Sequence, residues 1–263
     1  MSICAEDLSV TIDSKKILDK LSFTCRSGEI TAIVGENGAG KSTLVNCLAG
    51  VAKFEGSLSL NGHPIGNLSL AELAKYRAVL PQHSQLNFPF NVQEVVRLAM
   101  SLGSLSYEDQ EAVINDSLEL VDAHQFINRD YLNLSGGEKQ RVQLARVLAQ
   151  LRAHNHNKSR FLFLDEPTSA LDLKHQYSTL KMLNELCTKN TQQDIGALVI
   201  VHDLNLASLY CDKILLLNDG QLIMHDTPTR VLQNKRIKRS FGIDVLIDSH
   251  PDIDKPYLIP RLR

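Results

Sequence analysis

The sequence predicts an α/β fold in which helices cover a mostly parallel β-sheet. Four apolar runs of strand length occupy residues 29–34, 161–164, 198–201 and 214–217, with helical or loop segments between them. Apolar side chains at nearly every position are typical of strands that are buried on both faces. Strands that alternate with helices along the chain indicate a parallel sheet.

The size and composition of the chain exclude several classes of protein. The chain has 263 residues, of which 43% are hydrophobic and 22% charged, as in globular proteins, so one large domain or two joined lobes are both open. A net charge of -2, only 5% aromatic residues and no Trp speak against nucleic acid as a partner. No apolar run approaches the ~20 residues that a membrane span needs, and the first residues do not resemble an export signal.

The first 60 residues read mainly as strands. Residues 8–12 and 21–25 alternate apolar with polar side chains, as half-buried antiparallel strands do. The buried run 29–34 follows, and helical spacing begins at Lys41 and continues to Leu48. A further strand at 57–60 ends at an Asn-Gly pair, which predicts a tight turn.

Helical periodicity dominates the middle of the chain. It extends from about residue 92 to 151, with separate helices expected at 112–120 and 140–151. We interpret this region as a helical insert between strands. Near the C-terminus, the basic run 235–239 is best explained as a solvated helix face.

A glycine-rich loop after the strand 29–34 fits the phosphate-binding pattern GxxxxGK[ST]. Its backbone N–H groups would face phosphate oxygens, Lys41 would reach the β and γ phosphates, and the Ser42 hydroxyl would hold Mg²⁺. The predicted nucleotide-binding residues here are Gly35, Glu36, Asn37, Gly38, Ala39, Gly40, Lys41, Ser42 and Thr43.

Two carboxylates follow the apolar run 161–164, at the strand end where open α/β sheets bind ligands. We expect Asp165 to act on hydrated Mg²⁺ and Glu166 to polarise the attacking water as general base. The pair supports a nucleotide site, because a phosphate loop requires a second residue that contacts Mg²⁺ on a neighbouring strand.

A second glycine pair lies in the segment Leu134–Arg141, which we call the signature segment. Ser135 can cap a helix that begins there, while Gly136 and Gly137 let backbone amides approach an anion. Between a phosphate loop and an Asp-Glu strand, this segment resembles the LSGGQ signature of ATP-binding cassette (ABC) ATPases, with Glu138 where Gln is commoner.

The resemblance implies a P-loop NTPase (RecA-like) core with an antiparallel β subdomain and an α-helical insert. It implies that Gln82 contacts Mg²⁺ or the lytic water, that His202 contacts the γ-phosphate, and that residues 169–172 form the D-loop. The aromatic residue that usually stacks on adenine is replaced by Ile12, so GTP is expected to be accepted as well as ATP.

Several stretches resemble the cassettes that serve importers of metal chelates, and among them those of haemin importers. They are Val201–Ala207, Arg77–Gln82 with Phe88–Val96, Leu164–Gln176, and the tail around Phe241 and Pro256–Pro260. A ferric-siderophore or cobalamin importer remains an alternative. A non-transport cassette or a small-molecule kinase fits less well, since the chain has one phosphate loop and the kinase has no need of the signature segment.

The family resemblance further implies a homodimer in which each ATP lies between the phosphate loop of one copy and Ser135, Gly136 and Gly137 of the other. Two permease subunits would bind the dimer, and a periplasmic substrate-binding protein would act through them. The chain is then expected at the cytoplasmic face of the bacterial inner membrane, peripheral, with membrane contact only through partners. Residues 1–263 would form one ABC domain, with 1–83 and 159–263 as the core and 84–158 as the helical subdomain.

Overall fold

The computed structural model describes residues 1–82, 86–100, 105–153, 159–188 and 194–261. The strands within them are β1 (Ser2–Ile12), β2 (Lys15–Arg26), β3 (Ile30–Val34), β4 (Glu55–Leu60), β5 (His63–Pro64), β6 (Arg77–Leu80), β7 (Arg160–Leu164), β8 (Ile195–Ile200), β9 (Lys213–Asn218), β10 (Gln221–Asp226), β11 (Val245–Ser249) and β12 (Pro256–Pro260). The α-helices are α1 (Lys41–Leu48), α2 (Leu70–Leu73), α3 (Val92–Arg97), α4 (Tyr107–Leu120), α5 (Gly136–Ala153), α6 (Leu173–Thr188), α7 (Leu204–Tyr210), α8 (Pro228–Val231) and α9 (Asn234–Phe241).

Six strands form the central sheet, in the order β10-β9-β3-β8-β7-β6. Five of them are parallel, and β10 pairs antiparallel with β9 at one edge. The predicted α/β fold with a mostly parallel sheet is therefore confirmed. The carboxyl ends of β3, β7 and β8 lie side by side, so the residues that follow these strands meet at one edge of the sheet.

Both faces of this sheet are covered, because alternate residues of each central strand enter different cores. Ala32, Leu162 and Val199 pack towards helices α3 to α7. Ile33 and Phe163 face the other way, towards α1 and a second sheet. All five residues of β3 and of β7 are buried, which is the reason for their continuous apolar sequence.

The second sheet is antiparallel and has the order β2-β1-β4-β5. The predicted antiparallel strands 8–12 and 21–25 are thus confirmed, within longer strands. The predicted turn at Asn61 and Gly62 joins β4 to β5, with Leu60 paired to His63. Both turn residues have positive φ, of 52° and 80°.

Between β6 and β7, the described residues hold the helices α3, α4 and α5 together with short 3₁₀ turns. The predicted helices 112–120 and 140–151 lie within α4 and α5, which each begin four or five residues earlier. The boundary residues 83, 84 and 158 predicted for the helical subdomain lie outside the described residues.

Among the described residues, five strands were not predicted from the sequence: β5, β6, β10, β11 and β12. β10 is only half-buried and is an antiparallel edge strand, so its pattern is neither continuous nor cleanly alternating. β11 and β12 form a separate two-stranded hairpin. The basic run 235–239 lies in α9, where Ile237 is buried and the cationic side chains are outside, as predicted.

In the ranges that the structure describes, every helix is too short or too polar to cross a membrane.

Candidate nucleotide site

The phosphate loop lies between β3 and α1. Helix α1 starts at Lys41, the residue that the sequence predicted, and Gly40 is its N-cap. Gly40 has φ of +95°, and a Cβ there would lie 2.5 Å from Cδ2 of Leu18 and 3.0 Å from the Ile17 carbonyl oxygen. Only glycine fits this position, where the loop turns sharply into the N-terminus of α1.

Lys41 is held inside the loop. Its Nζ donates hydrogen bonds of 2.9 Å to the carbonyl oxygens of Gly35 and Glu36. Burial lowers the pKa of Lys41, and the nearby carboxylates of Glu166 and Asp165 oppose that shift. A cation is thus already placed where the loop would enclose phosphate.

Asp165 follows β7 and is 5% exposed. Its Oδ1 is buried and has no hydrogen-bond partner among the residues that the structure describes, and the Ser42 hydroxyl bonds to the carboxylate. Burial is the main cause that raises the pKa of Asp165, while Ser42 and Lys41 act against it. A buried carboxylate oxygen with no partner, beside a hydroxyl, fits Mg²⁺, which prefers oxygen ligands.

Glu166 and His202 meet across the sheet edge, with 2.6 Å between Oε1 and Nε2. The Glu166 backbone has φ of +53°, an uncommon conformation for a non-glycine residue. Its carbonyl oxygen accepts hydrogen bonds from Gln140 Nε2 at 2.7 Å and from Ser169 Oγ at 3.1 Å. The backbone is therefore fixed independently of the carboxylate.

His202 is placed by the strand before it and the helix after it. β8 ends at Ile200, and Asp203 caps α7 by accepting from the N–H groups of Asn205 and Leu206 at 2.7 and 3.1 Å. Local structure therefore explains the order of residues in the run His-Asp-Leu-Asn: Asp203 caps the helix, and His202 lies just before it at the sheet edge.

Gln82 lies beyond the end of β6 and is exposed. It lines a cleft of about 390 Å³ together with Lys15, Ile17, Asn37, Gly38, Gly40, Lys41, Ser42, Thr43 and Glu166. A second, adjoining cleft is lined by Gly35, Glu36, Asn37, His202 and Phe241. The structure thus gathers the predicted residues of the phosphate loop, Gln82, Asp165, Glu166 and His202 around one edge.

Two side chains of β2, and not Ile12, line the cleft beside the phosphate loop. Ile12, at the end of β1, is 51% exposed and is absent from the lining, whereas Lys15 and Ile17 of β2 line it. Sequence reasoning missed these two residues, because the pattern of β2 gives no sign of which side chains face the phosphate loop.

The signature segment does not form part of this cleft, since Ser135, Gly136 and Gly137 are not among the residues that line it. Ser135 precedes α5 and bonds with Glu138: both its N–H and its hydroxyl lie 2.7 Å from Oε2 of Glu138. The N–H of Glu138 bonds back to the Ser135 hydroxyl at 3.4 Å. The predicted capping role of Ser135 is confirmed, and the spacing of Ser135 and Glu138 could have indicated the whole capping box.

The signature segment is nevertheless tied to the strand end that carries Glu166. A Cβ at Gly137 would lie 2.9 Å from the carbonyl oxygen of Ala170, so the D-loop packs directly on this glycine. Gln140 of the same helix holds the Glu166 carbonyl. Any movement of the D-loop therefore involves the start of α5.

A polar cluster strengthens this link, and sequence reasoning missed it. Arg141 Nη1 lies 2.9 Å from Nε2 of His175, whose Nδ1 lies 2.8 Å from Asp172 Oδ1. The same Nε2 lies 3.3 Å from Oδ2 of Asp122, so His175 contacts a guanidinium and two carboxylates. Arg141 also donates to the carbonyl oxygen of Asp122 at 2.6 Å, which joins the turn after α4 to α5 and α6.

The fold and this edge define a nucleotide-binding α/β protein, and comparison with known proteins places it more narrowly. The family model described as ABC transporter matches residues 18–169, more than half of the chain. The chain is 41% identical over 259 residues to the hemin import ATP-binding protein HmuV of Vibrio anguillarum, with 98% of each chain covered. It is 42% identical to the protein of the same name from Deinococcus radiodurans, covering 98% of this chain and 97% of that one. The chain belongs to the ABC transporter family.

A solved structure is similar over most of its length. It is the dimeric, post-hydrolysis state of an ATP-binding cassette bound to ADP and phosphate, with a TM-score of 0.73 and 25% identity. The match covers 86% of this chain and 98% of that one. The fold of the nucleotide-binding unit is thus shared with a cassette whose dimer has been observed.

Proposed function

We propose that the chain is the ATP-hydrolysing subunit of an ABC importer that takes up haemin. The observation that carries the proposal is the identity of about 40% with hemin import ATP-binding proteins over nearly the whole chain. The enzyme class is an ATP hydrolase coupled to transport.

The edge of the central sheet supplies the groups for hydrolysis. In our proposal the loop amides and Lys41 bind the β and γ phosphates. Glu166 accepts the proton of the attacking water, and His202, 2.6 Å from that carboxylate, contacts the γ-phosphate. Gln82 lies at the mouth of the same cleft, where it can position the water.

Ser42, Asp165 and Gln82 are the residues that would hold Mg²⁺. The buried Oδ1 of Asp165, which has no partner within the described part of the chain, and the adjacent hydroxyl of Ser42 support this choice. The bound ion would neutralise charge that develops on the phosphates. Of these residues, Asp165 has the strongest reason to bind a cation, since its charge is buried.

One copy of the chain holds only half of each site in this proposal. Ser135, Gly136 and Gly137 are exposed or half-exposed and do not line their own cleft. We propose that they bind the ATP on a second copy, so that ATP draws two copies together and hydrolysis releases them. The dimeric ADP-bound cassette of similar fold supports this arrangement.

The rest of the importer follows from this assignment. Two permease subunits would receive the motion through the helical subdomain, residues 84–158, while residues 1–83 and 159–263 form the nucleotide-binding core. A periplasmic binding protein would deliver haemin to the permease. The chain would then work at the cytoplasmic face of the inner membrane and touch it only through these partners.

Growth on haemin tests the proposal. Cells that lack this gene and have haemin as sole iron source should fail to grow, and the wild-type gene should restore growth while Glu166→Gln should not. Ferric-siderophore and cobalamin uptake should be unchanged in the same cells. Normal growth on haemin together with lost siderophore or cobalamin uptake would assign the chain to one of those importers instead.

A further inference from the structure

A single carboxylate oxygen occupies both hydrogen-bond donors of Ser135. The backbone N–H and the hydroxyl of Ser135 each lie 2.7 Å from Oε2 of Glu138. Ser135 and Gly136 are exposed and Glu138 is half-exposed, so the donors stand at a surface that another molecule can reach.

The same two donors are the groups that an incoming phosphate would need. A phosphate oxygen at a helix N-terminus accepts from backbone N–H and hydroxyl groups, as this carboxylate does. The hydrogen bonds from Ser135 hold the pKa of Glu138 below its usual value, so the side chain is charged at neutral pH. An ionised carboxylate can only accept hydrogen bonds. Phosphate and Glu138 therefore compete for Ser135, and they repel each other as like charges.

We propose that Glu138 is a positioning residue that stands in for phosphate in the separated chain and opposes ATP-driven association of two copies. When the ATP on a second copy reaches the signature segment, its phosphate takes the donors of Ser135 from Glu138. The inference rests on the proposed function, in which Ser135 binds the partner's ATP. Glu138 would thus raise the ATP concentration that association requires, because two copies associate only when ATP displaces this carboxylate from Ser135 at both sites.

The chain contains a matched control for the capping role of Glu138. Ser69 and Glu72 at the start of α2 form the same box, with distances of 2.8 Å from the Ser69 N–H and 2.7 Å from its hydroxyl to Glu72 Oε2. Both serines are exposed caps of a helix. Ser69 has no predicted part in nucleotide binding, so Glu72→Gln reports the cost of neutralising such a box on its own.

The test compares Glu138→Gln with Glu72→Gln, each in the full chain carrying Glu166→Gln so that ATP persists. Sedimentation velocity with Mg-ATP gives the dimer Kd. Removing one like charge at an exposed site changes affinity by about threefold, so two sites should lower the Kd about tenfold for Glu138→Gln. The gain should shrink at high salt because the repulsion is screened. Glu72→Gln should leave the Kd unchanged, and thermal melts should show both variants folded.

The importer complex with Glu166 intact provides a second measurement. Glu138→Gln should lower KM for ATP while kcat stays within about twofold, because the change acts on association and leaves the hydrolytic residues alone. An unchanged or higher dimer Kd for Glu138→Gln would overturn the inference. If ATP brings no variant together, including the parent chain, the proposed function fails and this inference with it.

Discussion

Replacing Glu166 by Gln separates catalysis from folding. The amide has nearly the same volume as the carboxylate, and the backbone at Glu166 is held by Gln140 and Ser169 through its carbonyl oxygen rather than through its side chain. We therefore expect the free energy of unfolding to change by less than about 0.5 kcal/mol. The carboxylate's contact with His202 Nε2 at 2.6 Å is the interaction that changes.

The rate should fall steeply. A positioned general base contributes about 10²- to 10⁴-fold, so we expect at least about a 100-fold loss of ATP hydrolysis, equivalent to about 2.7 kcal/mol in the activation free energy. ATP binding should survive, since the phosphate loop and Lys41 are untouched. The variant should consequently accumulate as an ATP-bound dimer.

Two assays measure these effects. Phosphate release by the importer complex gives the rate, and size-exclusion chromatography with ATP or ADP gives the dimer. Glu55→Gln, an exposed glutamate on β4, is the control for loss of one negative charge. Hydrolysis by Glu166→Gln at near the wild-type rate would refute the assignment of Glu166 as the base.

Three further predictions concern other parts of the site. Gly137→Ala should destabilise the chain by about 1–3 kcal/mol in urea unfolding, because its Cβ would meet the Ala170 carbonyl oxygen at 2.9 Å. The control Gly136→Ala would meet nothing within 4 Å and should leave the stability unchanged or slightly raised. Equal stabilities of the two variants would contradict the packing argument. Asp165→Asn should raise the Tm of the nucleotide-free, Mg²⁺-free chain. The pKa of Asp165 is raised in the folded chain, which means that folding favours the protonated carboxyl group. The wild-type chain therefore loses stability as pH rises through that pKa, and the variant does not. The Tm difference should be larger at pH 8 than at pH 5, and a variant less stable than wild type at pH 8 would contradict this. Because Ile12 offers no ring for base stacking, GTP should be hydrolysed within about tenfold of the ATP rate. Ile12→Tyr should lower KM for both nucleotides, since a ring stacks on every base and adds about 1–3 kcal/mol; a strong ATP preference in the wild-type chain would refute the interpretation of Ile12.

The parts of the fold that were predictable are those with one dominant local cause. β3 is recognisable because burial on both faces demands an unbroken apolar run, and α1 begins at Lys41 because the glycine-rich loop must end there. Asp165 and Glu166 were found because they follow a buried strand, whereas His202 was found through the family resemblance together with its place after a buried strand. Parallel strands then bring them to one edge without any further signal.

The parts that were missed depend on contacts between distant segments. Nothing local in the sequence indicates that Arg141 and Asp172 both contact His175, since these residues come from α5, the D-loop and α6. The positive φ of Glu166 likewise has no local signal, and its carbonyl oxygen is held by Gln140 of a distant helix. Lys15 reaches the cleft only because β2 lies beside the phosphate loop in the folded chain.

Reconstituted transport tests the central claim most directly. The chain would be purified with its two permease subunits, placed in liposomes with haemin and its binding protein on one side, and supplied with Mg-ATP on the side where this chain lies. We predict haemin transport that requires ATP, is abolished by Glu166→Gln, and is not matched by a ferric siderophore or cobalamin. ATP hydrolysis without haemin transport, or equal transport of a siderophore, would contradict the assignment.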